Sequence, residues 1–483
     1  MEFIEDKEIS KVDEEIVKCL QKDFALKHRV FPFAVSDGKL LVLLEYGKED
    51  TETVKGILKY IYKRELIFKN CSRETLSSLI NKYMEEPQEL PTKYINTNLS
   101  DKQNPVDAYI VNTIQEAMKI GASDIHFEPQ EAYGIIRFRV DGVLQWYYQY
   151  PISIFTSIII KLKLLGGMDI SNTKNPQDGR INWDFNDKKI DMRLSSMPTT
   201  KGEKLVVRIL YKNDRNVFSR IEESFSKEFY EKLENKNSGI ILVTGPTGSG
   251  KSTTLYSLIS RYSKESCNII TLEDPVEYEI SSITQINVNS KAGLTFATGL
   301  RAVLRQDPDI IMVGEIRDEE TAQMATRASI TGHLVLSTIH TVNAVTSISR
   351  LRDMGIPSYL VGDSLTTVIS QRLIRKLCPF CKISYTASSE ETFFFSLKDN
   401  NILAAPKGCS KCSYTGYRGR VLVYEILEVT EEIRDMISKD KDIEYIKSKA
   451  IDKGMVTMLE YGKNLVRSGT ISTKELIKHV PMD

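Results

Sequence analysis

GPTGSGKS, residues Gly245–Ser252, decides the fold. It meets the pattern G-x-x-x-x-G-K-[ST] at every fixed position. The apolar run IILVT leads in and the helix-compatible run STTLYSLISRY leads out. A strand, a glycine-rich loop and a helix in that order are the context this motif requires. Backbone N–H groups of such a loop, with the helix N-terminus, surround phosphate oxygens. The expected ATP-binding residues are therefore Gly245, Pro246, Thr247, Gly248, Ser249, Gly250, Lys251, Ser252, Thr253 and Thr254. Lys251 reaches the β- and γ-phosphates as a point charge, and the Ser252 hydroxyl binds Mg²⁺.

Working outward, short β-branched runs (GIILVTG, NIITLED, DIIMVGE, HLVLSTIH) alternate with helical stretches from Gly239 onward. That alternation predicts a parallel sheet with helices on both faces. Ligands bind at strand C-termini in such sheets, so polar residues just past these runs are the candidates. Glu315 follows IIMV and is the expected catalytic carboxylate, able to orient water or help hold Mg²⁺. Glu273, Asp274 and Glu277 cluster after another run, where Mg²⁺ with ATP needs carboxylate help. His333 and His340 flank LVLSTI, and a neutral imidazole there can bond a γ-phosphate or its water.

CPFC (Cys378–Cys381) and CSKC (Cys409–Cys412) form paired C-x-x-C units. Four thiolates suit Zn²⁺ in a closed tetrahedral site, and the long gap calls for a small subdomain between the pairs. A redox role fits poorly, because there are two pairs and no thioredoxin-like unit around them. Cys19, Cys71 and Cys267 have no such grouping and read as packing residues.

Before Gly239 the signals are weaker. FPFAVSDGKLLVLL (31–44) reads as two strands around an Asp37-Gly38 turn, and TETVKGILKYIYKREL and SRETLSSLINKYMEE read as capped helices. A polar stretch with three prolines, 85–105, is a linker candidate. A helix ended by Gly121, then alternating strands at GIIRFRVDGVLQWYYQY, INWDFNDKKIDMRLSSMP and KLVVRILY, make a mixed α+β domain. It carries Arg137, Arg139, Arg180, Arg193 and Arg208, side chains that could meet phosphates at a domain or subunit boundary. The expected division is 1–90, a linker at 91–105, a domain at 106–212, a connector at 213–238, and the ATPase domain at 239–483 with a zinc subdomain at 378–412.

Composition limits the remaining choices. The 483 residues are 41% hydrophobic, with 26 glycines and 15 prolines, which is globular. Lys plus Arg and Asp plus Glu both number 65, so bulk-charge coating of nucleic acid is not expected. There is no long apolar run and no signal-peptide pattern, so the expectation is a cytoplasmic protein.

ASDIHFEP, RFRVDGVL, QDGRI, GPTGSGKSTTLY, ITLEDPVEYEI, LRQDPDIIMVGEIRDEETA, TGHLVLSTIHT, QRLIRKLCPFC and GCSKCSYTGYRGR, in that order, resemble the type II secretion and type IV pilus assembly ATPase family. The resemblance is dense over residues 107–429. It implies a RecA-like P-loop domain preceded by a PAS-like α+β domain and a small α/β N-terminal domain, with a zinc-binding insertion in the C-terminal domain. It implies a hexameric, cytoplasmic ATPase at the inner face of the membrane. Such a motor would drive assembly of pilus or pseudopilus subunits through a polytopic membrane platform protein, with a cytoplasmic assembly protein at the N-terminal domain. The family's aspartate box falls on Glu273, Asp274 and Glu277, its Walker B glutamate on Glu315, and its histidine box on His333 and His340. Arg193 and Arg208, with Arg180, are the arginines that would approach nucleotide. Retraction-type members lack the tetracysteine, which favours the assembly or secretion branch. No Arg-Leu-Gly triplet occurs, so the family's cyclic di-GMP half-motifs are not expected. A DNA-uptake or conjugation motor on the same core is the alternative.

Overall fold

A computed structural model describes residues 12–481 except 18–19, 21–24, 26–27, 37, 47–53, 56–57, 60–61, 63, 84–104, 186–187, 212–220, 222–223, 264–265 and 398–400. Asp37, Cys19, linker residues 91–104, connector residues 213–220 and much of the expected helix at 51–66 therefore lie outside the described residues. The chain falls into two compact units, Met1–Thr97 and Asn98–Asp483.

In the first unit, helix α1 (Glu14–Val17) precedes strands β1 (Val30–Ser36), β2 (Lys39–Glu45) and β3 (Leu66–Cys71), followed by α2 (Arg73–Tyr83). β1 and β2 pair antiparallel with Ser36 opposite Lys39, around the position expected for the turn. β3 pairs parallel to β2. LIFKNC is thus a strand, and Leu66, expected to end a helix, begins it. Phe31, Leu40, Val42, Leu43, Cys71, Leu76 and Ile80 are buried together, so Cys71 is a packing residue, as its isolation in sequence suggests.

The second unit opens with α3 (Pro105–Lys119), entered through a proline and released at Gly121, whose φ is +73°. Strands β4 (Asp124–Pro129), β5 (Tyr133–Val140), β6 (Val143–Pro151), β7 (Gln177–Phe185), β8 (Lys188–Thr199) and β9 (Gly202–Tyr211) form one sheet in the order β6-β5-β4-β9-β8-β7. Helix α4 (Ile152–Leu165) covers one face. Its β-branched, apolar sequence carries no clear helical period and does not announce a helix. Along β5 the burial alternates, with Ile136 and Phe138 in the core and Arg137 and Arg139 on the other face. Cross-strand register places Arg139, Asp124, Arg208, Arg193 and Arg180 in one row across β5, β4, β9, β8 and β7.

After α5 (Lys227–Glu234) come β10 (Gly239–Thr244), α6 (Lys251–Tyr262), β11 (Ile269–Glu273), β12 (Thr284–Asn287), α7 (Phe296–Val303), β13 (Ile310–Val313), α8 (Glu319–Ile330) and β14 (Leu334–Ile339). α9 (Thr346–Asp353), α10 (Ser358–Ser364) and the 13-residue strand β15 (Leu365–Leu377) follow. β16 (Ile383–Thr386), α11 (Ser389–Phe394) and β17 (Ile402–Ala405) fill the interval between the cysteine pairs. β18 (Tyr417–Glu428) returns antiparallel to β15. The tail holds α12 (Glu431–Ser438), α13 (Ile443–Asp452), α14 (Met458–Arg467) and α15 (Thr473–His479).

The main sheet runs β12-β11-β13-β14-β10-β15-β18, with the first six strands mutually parallel. Every residue of β10, β11, β13 and β14 is buried. Strands covered on both faces have no solvent side, which is why these runs are continuously apolar. Among the described residues, no helix is long and apolar enough to cross a membrane.

Candidate active site and tetracysteine cluster

The glycine-rich loop joins β10 to α6. Gly245, Gly248 and Gly250 have φ of +148°, +79° and +89°. A Cβ on Gly245 would lie 2.4 Å from the Gln371 carbonyl oxygen, so both the conformation and the space require glycine there. Lys251 Nζ folds back to donate to the carbonyls of Gly245 (2.9 Å) and Pro246 (3.1 Å). Burial lowers its pKa and the Arg372 charge adds to that, while the Glu315 charge opposes it. Ser252 is exposed. Thr254 points the other way: it is 1% exposed, and its hydroxyl donates to Gln371 Oε1 (2.9 Å). Gln371 Nε2 in turn donates to the Ser249 carbonyl (2.9 Å). Thr254 thus anchors the loop from below rather than lining it.

Glu315 stands just past β13. Its carboxylate pairs with Arg317 and lies 3.7 Å from His340 Nε2. His340 follows β14, whose end is stitched to that of β10 by Thr244 and Thr341 (Oγ1 to Oγ1, 2.7 Å). Burial first, then the Lys251 charge, lowers the His340 pKa, so its imidazole is neutral near pH 7. Lys251, Glu315 and His340 therefore meet at the C-terminal ends of three neighbouring strands, β10, β13 and β14. His333 is not among them. It precedes β14, its carbonyl accepts from Gly239 N at the start of β10 (3.2 Å), and its Nδ1 sits 3.0 Å from Ala328 O. A six-residue strand separates it from His340, about 20 Å. The expectation of a paired histidine role is corrected on that ground.

The acidic cluster is divided as well. Glu273 is 4% exposed. Its carboxylate accepts from the Tyr256 hydroxyl, from Thr271 Oγ1 (2.6 Å) and from Gln285 Nε2 (3.1 Å). Three protein donors occupy it, so the expected role beside the metal does not fit Glu273. Glu277 lies on the following loop, reached by solvent yet with protein around its carboxyl. The protein crowded around it raises its pKa, and the charges of Arg193 and Arg208 pull against that rise. Two arginines of the row, Arg193 and Arg208, are near enough for their charges to act on Glu277, although Arg208 also binds Asp124 (2.9 Å) and Arg180 binds Asp191 (2.8 Å). Arg137 pairs with Glu128 on its own sheet.

A hydrogen bond and an ion pair join the six-stranded sheet to β18 of the seven-stranded one. Asp141, in the turn between β5 and β6, accepts from Gly419 N (2.7 Å) and lies 3.6 Å from Arg420 Nε at the start of β18. Gln371, Arg372, Tyr256 and Arg317 were not singled out in sequence. Arg372 donates to the carbonyls of Gln371 (3.1 Å) and Val342 (2.8 Å), joining β15 to the segment after His340. QRLIRKLC holds the first two residues, but its distance along the chain from the loop hides their partnership.

Cys378, Cys381, Cys409 and Cys412 bring their sulfurs within 4.8 Å of one another. Cys378–Cys409 is 4.0 Å, and Cys381–Cys412 and Cys409–Cys412 are each 3.8 Å. A tetrahedron with Zn–S bonds of ~2.3 Å has edges of ~3.8 Å, whereas a disulfide is ~2.05 Å. Backbone N–H groups of Gly408 and Gly416 point at Cys381 and Cys412 (3.3 Å each), as thiolates require. The cluster fits a structural zinc ion.

Residues 99–478 match the family described as Type II/IV secretion system protein. The chain is 40% identical over 442 residues to the type II secretion system ATPase E of Vibrio cholerae, covering 90% of this chain and 86% of that one. It is 40% identical to the type IV pilus assembly ATPase TfpB of Acinetobacter baylyi, covering 80% and 68%. A crystal structure of the pilus retraction motor PilT with bound ADP aligns with a TM-score of 0.53 and 27% identity, covering 77% of this chain and 97% of that one. A phosphate loop with its carboxylate and imidazole on one sheet edge, found in a chain with these relatives, identifies an ATPase that belongs to the type II/IV secretion system protein family.

Proposed function

We propose that this ATPase powers assembly of pilus or type II secretion pseudopilus subunits, as a homohexamer working through a membrane platform protein on the cytoplasmic side. Residues 106–212 are the PAS-like domain and 239–483 the RecA-like domain, and nucleotide binds where they face each other. The observation that carries this reading is the meeting of Lys251, Glu315 and His340 at the C-terminal ends of neighbouring strands, with the charges of Arg193 and Arg208 acting on Glu277.

In this reading Lys251 leaves the carbonyls of Gly245 and Pro246 for the phosphates. Ser252 and Glu315 would hold Mg²⁺, which would supply positive charge near the phosphate oxygens. Glu315 also positions the attacking water, and neutral His340 bonds the terminal phosphate or that water. Arg193 and Arg208, with Arg180, add charge from the second domain as it closes. The four cysteines hold one Zn²⁺, and the ion keeps their subdomain folded.

Glu315→Gln keeps the shape and removes the charge. Its ATP affinity stays within a few-fold of the parent while turnover falls by about 10²-fold or more. Parent-like phosphate release by that variant overturns the assignment. Light scattering with ATP and Mg²⁺ reads the ring, where a monomer at every concentration counts against it.

A further inference from the structure

Tyr256 lies on α6, the helix whose first residue is Lys251, and is 1% exposed. Its hydroxyl donates to Glu273, the last residue of β11. The same oxygen accepts the backbone N–H of Glu277 (3.2 Å), and its ring meets the edge of Tyr278 at 5.5 Å. The rest of the loop is held by side chains from β12. Gln285 donates to the Tyr278 carbonyl (2.9 Å) and accepts from Ile280 N (2.8 Å). Asn287 accepts from Val276 N (2.7 Å).

The consequence is directional. β12 fixes the two ends of the loop to the sheet. Tyr256 fixes the amide of Glu277 to the helix that leaves the glycine-rich loop. A buried phenol needs a partner for its hydroxyl, and a loop amide needs an acceptor. Tyr256 meets both needs with one oxygen while spanning two elements.

We propose that Tyr256 is a positioning residue of the ATPase reaction, tying α6 to the loop after β11 and thereby holding Glu277 opposite Arg193 and Arg208. The inference rests on the reading of Glu277 and those arginines as part of the nucleotide site. Tyr256→Phe tests it, because phenylalanine keeps the ring packing on Tyr278 and removes only the hydroxyl. The expected result is a kcat about tenfold lower, near 1.4 kcal/mol of barrier, with KM for ATP unchanged. A kcat within about twofold of the parent, or a KM that rises by the same factor, overturns the inference.

Glu277→Ala completes a double-mutant cycle. If Tyr256 acts through Glu277, the double variant is no slower than Glu277→Ala alone, whereas losses that multiply overturn the inference. Full activity in Glu277→Ala sinks the underlying reading along with it. A slow Glu277→Ala beside a fast Tyr256→Phe sinks the inference alone.

Discussion

At the scale of single residues, chemistry depends on which partners a side chain keeps free. Glu273 and Glu277 belong to one acidic run, yet the first is committed to three protein donors and the second faces the arginines. Spacing shows that acids are present. It does not show which carboxylate spends its lone pairs on the fold, because the donors Tyr256, Thr271 and Gln285 come from three different elements. Gly245 is the converse case, legible from the motif alone. Gly245→Ala forces a side chain onto the Gln371 carbonyl and onto a left-handed backbone, so a loss of about 1–3 kcal/mol in stability and a collapse of nucleotide binding are expected. Denaturant titration and fluorescent-nucleotide binding read the two effects. Burial is the first cause of lowered pKa in His126, His340 and His479. Below the ordinary histidine pKa of 6.5 the unfolded chain binds these protons more readily than the folded one, so stability falls as pH drops through that window. The urea midpoint should therefore decline between about pH 6.5 and 5, and less so in a His126→Gln variant, whose amide does not titrate.

At the scale of elements, legibility followed the environment of each segment. β10, β11, β13 and β14 are wholly buried, so their apolar runs stand out in sequence. α4 is apolar and β-branched, and only its packing under the six-stranded sheet makes it a helix. β15 mixes buried and half-exposed positions along its length as it passes from the sheet core to the cysteines, so no single period marks it. The tetracysteine cluster was legible because its donor set is chemically distinctive. Cys409→Ser should abolish bound zinc, which elemental analysis of protein purified without chelator reads as one ion per chain in the parent. The cost should be local: faster amide exchange across β16 and β17, with nucleotide binding retained. Loss of nucleotide binding on metal removal would mean that the ion supports the ATPase core instead.

At the scale of the whole molecule, described residues of the six-stranded sheet reach the strands and loops of the seven-stranded sheet at separate points. At one, the charges of Arg193 and Arg208 act on Glu277, and at another Asp141 accepts from Gly419 N and lies near Arg420. Asp141 has a φ of +49°, so Asp141→Gly preserves the turn and deletes only the carboxylate. A lost charge-assisted bond of about 1.5–3 kcal/mol should speed exchange at the Gly419 amide by roughly tenfold or more. Unchanged exchange there would show that the contact contributes nothing. That second landing point sits on β18, which pairs along its length with β15. β15 holds Gln371 under the phosphate loop and ends beside Cys378, about 23 Å further along an extended backbone. The two strands pair along that span with one register shift, between Arg375 and Leu377. The pair is a continuous link between the glycine-rich loop at one end and the four cysteines at the other. A pull on the cysteine cluster meets that irregular step before it reaches the glycine-rich loop.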